Sequence, residues 1–153
     1  MVAFAFDPDI MAGSGGGAIG TTPRSFTEIL LANMGAALML FSGALFAGVT
    51  TIFGLVALSF YIGSTMAVAV HHAGLGGVAG SVWTYILFEF LAMVISATAG
   101  LHPLYMSLLS TNVEGSRLSR YVGGLTTSLK LQAVAVGLLT LAAGIEAFVI
   151  SSR

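Results

Sequence analysis

From Ile29 to Val70 the chain runs for 42 residues without Asp, Glu, Lys or Arg. As one helix that stretch would measure about 63 Å, twice the roughly 30 Å hydrocarbon core of a bilayer. It must therefore fold back on itself. A turn near Gly48-Val-Thr-Thr-Ile-Phe-Gly54 gives helices over about 28–48 and 52–71. Since that turn carries no charge, it is expected to lie shallow in the membrane or under protein. Pro23-Arg-Ser-Phe-Thr-Glu28 supplies the start signal: Ser25 caps, and Glu28 three residues on completes a capping box. Beyond the hairpin, the glycines of His71–Gly80 predict a loop, and Trp83 and Tyr85 an aromatic anchor for a third span over 81–101. Pro103 follows its end. Residues 104–129 are mixed in polarity and read as an interfacial segment leading to a last span over 131–150, whose helix starts up to two turns earlier. The pattern predicts an all-α membrane bundle of four spans.

Composition agrees, with 57% hydrophobic and 7% charged residues. Soluble domains carry about 25% charged residues, so a water-soluble fold is excluded. A net charge of -1 offers no field for nucleic acid, and the lack of cysteine excludes disulfides, thiolate metal sites and cysteine catalysis. Residues 1–24, with Asp7, Asp9 and the Gly13–Gly17 stretch, lack the basic start and continuous apolar run of a signal peptide. They read as a flexible tail before a transmembrane domain over 25–153. The composition predicts a multi-pass cell-membrane protein; three basic residues, Arg117, Arg120 and Lys130, against Arg24 and Arg153 on the other face lean toward a cytoplasmic 102–130 loop but leave the orientation open.

Few polar groups enter the spans. Glu89 falls near the centre of span three, where an acid costs roughly 2.5–3.5 kcal/mol on insertion. It is expected to point into the bundle, uncharged and donating a hydrogen bond, with Tyr85, Ala92 and Ser96 on its face. Glu146, one turn from the end of span four, is expected close enough for a direct or water-bridged contact with Glu89, or at the interface with water. Asn33 should bond a neighbouring helix or backbone. Small residues at helix-packing spacing recur as Ala44/Gly48, Ser59/Gly63/Ala67, Ser96/Gly100, Ala133/Gly137 and Thr140/Gly144. His71 and His72 diverge by about 100° on a helix and His102 lies across the membrane, so no metal site is expected. The glycines of 13–20 lack the lysine and strand of a phosphate loop. No catalytic grouping, cofactor site or enzyme activity is predicted.

Several motifs in order resemble the stage II sporulation protein M family. Leu30-Leu-Ala-Asn33 followed by Gly43-Ala-Leu-Phe-Ala-Gly48-Val-Thr-Thr51 is similar to its asparagine-led first span and Gly-x4-Gly-x-x-Thr turn. Leu58-Ser59-Phe-Tyr-Ile-Gly63 stands where members carry Asn-Gly-x-x-x-Gly, with Leu58 for the asparagine and Ser59 for the first glycine. Tyr85-Ile-Leu-Phe-Glu89, then Ala97-Thr-Ala-Gly100, matches the glutamate of His-Gly-x-x-Glu and the small-residue stretch after it. Leu141-Ala-Ala-Gly-Ile-Glu146-Ala-Phe148 is similar to the C-terminal Ala-x-x-Glu-Ala-Phe pattern. The resemblance covers about residues 28–150.

It implies a polytopic membrane protein and a scaffold more readily than an enzyme. Sporulating bacteria use this family as the membrane anchor of a peptidoglycan-remodelling complex, and relatives occur in organisms that form no spores. The first expectation is a non-catalytic scaffold or accessory subunit, partnered in the lipid bilayer by other integral membrane subunits or by itself. A small permease or transporter component is the alternative, and an accessory subunit of a membrane-bound redox enzyme the second. The residues expected to matter are Asn33, Gly43, Gly48, Gly63, Glu89, Ser96, Gly100 and Glu146.

Overall fold

The computed structural model describes the backbone at residues 26–109 and 116–151. The 1–24 tail, the capping residue Ser25, the middle of the 102–130 loop and the side chain of Trp83 lie outside the described residues. Three helices follow one another: α1 (Phe26–Phe41), extended by a 3-10 turn over Ser42–Ala44, α2 (Val49–Leu108) and α3 (Arg117–Ser151). Because α2 breaks at Gly74, four stretches are long and apolar enough to cross a membrane: Phe26–Ala44, Val49–His72, Tyr85–Leu108 and Arg117–Val149. The chain is an all-helical, multi-pass membrane protein.

The first reversal is tight because its backbone is satisfied by side chains, as apolar surroundings demand. Buried Thr51 donates through Oγ1 to the Leu40 carbonyl at 2.6 Å, and Ser42 Oγ contacts Met39 O and Thr50 Oγ1 at 2.7 and 2.8 Å. Tyr121, reaching over from α3, donates to Ala44 O at 2.9 Å and accepts from the Ala47 amide at 3.2 Å. Between them the chain takes positive φ at Ala47 (49°) and Gly48 (81°). Protein covers one side of the turn, where Gly43, Ala44 and Gly48 are buried, while Leu45, Phe46 and Ala47 at its tip are exposed.

The loop expected over 71–80 is replaced by helix on both sides of Gly74, whose φ of 70° and ψ of 163° lie in a region essentially reserved for glycine. One residue with no Cβ does the work assigned to a glycine-rich segment. Two arms result, a first over 49–73 and a second over 75–108. They run antiparallel, since Gly48 at the start of the first stands against Leu101 and Leu104 of the second.

Pro103 does not end the third span. The second arm continues through it to Leu108. A proline inside a helix removes one backbone bond, but here the ring is fully buried and packs on Gly124 of α3, where an added Cβ would stand 3.0 Å from Pro103 Cα. Packing holds the helix together where propensity would stop it. The last helix likewise starts earlier than the expected span, at Arg117. Its 33-residue apolar stretch measures about 50 Å, longer than the roughly 30 Å hydrocarbon core, and residues 117–129 of the expected interfacial segment are helical.

The core lies between α1, the second arm and α3. Ala37, Ala92, Ala135 and Leu139 are completely buried, with Leu30, Met93, Ile95 and Leu138 packed around them. Three alanines let the helices approach closely, which is how packing is gained in lipid.

Candidate functional site

Two register marks fix how the second arm meets α3. Gly124 sits on Pro103 and Met106, and Ala92 shares a cluster with Ala135 and Leu139. Antiparallel pairing at this register brings Gly100 to the level of Ser128, Ser96 to that of Gln132 and Glu89 to that of Leu139, each to within one residue.

At the Gly100 level three segments converge. A Cβ on Gly43 would overlap Thr51 Oγ1, and one on Gly100 would overlap both Thr51 Oγ1 and the Leu40 carbonyl. The hydroxyl that caps α1 thus occupies the space a side chain would need at either glycine. Gly48 needs its hydrogen for a second reason, a left-handed φ of 81° with Leu101 and Leu104 at 3.0 Å from an added Cβ. Gly43, Gly48, Thr51 and Gly100 form one knot that ties α1 and the start of the first arm to the second arm.

Closer to the membrane centre, Asn33 of α1 donates through Nδ2 to Glu89 Oε1 of the second arm. Glu89 points into the bundle, on the face that carries fully buried Ala92 and Ser96. Its bond runs opposite to the expected direction, because Asn33 supplies the proton and Glu89 accepts it. Glu146 of α3 lies within electrostatic range of Glu89. Asn33, Glu89 and Glu146 therefore put a polar group from each of the three packed helices on the inside of the bundle. It can hold helices in register.

Gly63 stands apart from both groups, on the first arm, with nothing within 4 Å of an added Cβ. Sequence reasoning missed the weight of Thr51 and Tyr121. The Gly-x4-Gly-x-x-Thr spacing was the available signal for Thr51, since the threonine falls one turn into the next helix, facing back. For Tyr121 there was none, as its partners Ala44 and Ala47 are more than 70 residues away in sequence. His71 and His72 are exposed and meet edge to face at 5.5 Å, while His102 stacks on Tyr105 at 6.4 Å. Among the described residues no group of His, Asp or Glu has the makings of a metal site.

Comparison with curated proteins and with solved structures finds no match. Comparison with family models finds one, described as stage II sporulation protein M, over residues 7–151. That match spans nearly the whole chain, and the knot and the intramembrane polar group join residues from the first, third and fourth motifs that resemble the family's. The chain belongs to the stage II sporulation protein M family.

Proposed function

We propose that this chain is a non-catalytic scaffold, a subunit that assembles with other membrane chains inside the bilayer. The observation that carries this reading is the unequal burial of the spans. In Val49–His72 only 6% of the span is buried within the chain, against 28% in each of Tyr85–Leu108 and Arg117–Val149. From residue 55 to 72 no described side chain on the first arm is buried. Along that arm Ser59, Gly63 and Ala67 repeat at the spacing by which membrane helices dock closely. A partner helix is what such a notch accommodates.

The permease reading draws on Glu89, because an acid inside a membrane is a functional candidate by default. Transport sites are typically built where helices are broken, whereas Glu89 sits in an unbroken stretch of the second arm and is engaged by Asn33. The scaffold reading is favoured on that ground. Extraction in a mild detergent followed by native mass spectrometry tests it. Species heavier than the 15.6 kDa chain, containing a second copy or other membrane chains, are expected. A monomer at every concentration contradicts it.

A further inference from the structure

Ser96 and Gln132 share one feature that the packing of the bundle leaves without purpose. Ser96 is completely buried and Gln132 is 6% exposed, yet Ser96 Oγ, Gln132 Oε1 and Gln132 Nε2 make no hydrogen bond to any protein group. Mid-helix hydroxyls in apolar surroundings usually donate back to the carbonyl one turn earlier. Thr98, Ser128 and Thr140 do so, to Val94, Gly124 and Val136 at 2.8, 3.2 and 2.9 Å. Ser96 does not.

The register brings these orphaned groups together. Pairing Pro103 with Gly124 and Ala92 with Ala135 sets Ser96 within one residue of Gln132 along the axis, a rise of about 1.5 Å, and both side chains are buried. On one side lie Ala92 and Ala135, on the other Gly100 and Ser128, so small side chains surround the pair. Buried polar atoms are almost always hydrogen-bonded, and an internal water takes two to four polar partners. Here a carbonyl oxygen, an amide and a hydroxyl supply both acceptors and donors.

We propose that Ser96 and Gln132 hold an ordered water molecule between the second arm of α2 and α3, in the interior of the membrane. The water accepts from Gln132 Nε2, donates to Ser96 Oγ, and so bridges the two helices. Along the second arm the site lies seven residues from Glu89, about 10 Å, with fully buried Ala92 between them. It is a separate site, a wet point in an alanine-lined interface, and it stands whether the chain is a scaffold or a permease.

Gln132 is the sole glutamine in the sequence, which makes the test direct. Cell-free synthesis with side-chain 15N-glutamine, followed by reconstitution in nanodiscs, gives one amide pair to observe. A cross-relaxation peak between that pair and water, with the sign of a long-lived bound molecule, is expected in the full chain. The same peak should be lost in Ser96→Ala. Cross-peaks to protein protons alone, which would mean a direct Gln132–Ser96 bond, overturn the proposal. So does a water peak that keeps its full intensity in Ser96→Ala.

Discussion

The two arms of α2 belong to one helix and cross the same membrane, yet they meet different surroundings. In the second, Ala92, Ser96, Ala97, Ala99 and Gly100 are buried between α1 and α3, and Glu89 is held by Asn33. In the first, burial stops at Gly54, and Phe53, Val56 and Phe60 are 70%, 65% and 79% exposed. Apolar composition makes both of them spans, but it cannot decide what covers them. Lipid tails are as apolar as leucine, so close packing in a membrane comes from small residues and polar contacts. The second arm has both and uses them within the chain. The first has a small-residue notch and, among the described residues, no helix seated in it.

The largest effect should come from a single methyl group placed in each arm. Gly100→Ala forces a Cβ into the Leu40 carbonyl and the Thr51 hydroxyl and is expected to destabilise the fold by about 2–3 kcal/mol, as overpacking does. Gly63→Ala meets nothing within 4 Å and should leave the fold unchanged or firmer by up to about 1 kcal/mol, from helix propensity. Reversible unfolding in mixed micelles reads both. Equal losses in the two arms would remove the contrast.

A smaller effect is expected at Glu89. Glu89→Leu abolishes the bond from Asn33 and should cost about 1 kcal/mol, a typical intramembrane hydrogen bond. Glu89→Gln keeps an accepting oxygen and should be tolerated. In a double-mutant cycle with Asn33→Leu, the coupling should match the loss in Glu89→Leu. Additive losses would mean that the pair does not bond in the membrane. Least of all, Tyr121→Phe, which releases Ala44 O and the Ala47 amide, should cost about 0.5–1 kcal/mol and speed amide exchange in the 44–48 turn.

Much of this was legible from the pattern of residues. An uncharged run twice too long for one span announced the first hairpin, and an acid flanked by small residues announced an inward face. Pro103 was misread because its burial against Gly124 carries the helix past it, and the 71–80 loop because Gly74 alone makes the turn. The pairing of Asn33 with Glu89 was not legible, although each was singled out, because it depends on which helices become neighbours. Nor was the unequal burial of the two arms, since sequences that face lipid and sequences that face a partner are both apolar.

The central claim is that another polypeptide covers the first arm in the native membrane. Site-specific photo-cross-linking tests it in cells, with a benzophenone side chain at Ile62, beside Gly63, and a control at Val134 of α3, 40% and 54% exposed within the chain. The account predicts a discrete protein adduct at Ile62, either a second copy or another membrane chain, lost in Gly63→Leu, and only lipid adducts at Val134. Lipid adducts alone at both positions would contradict it.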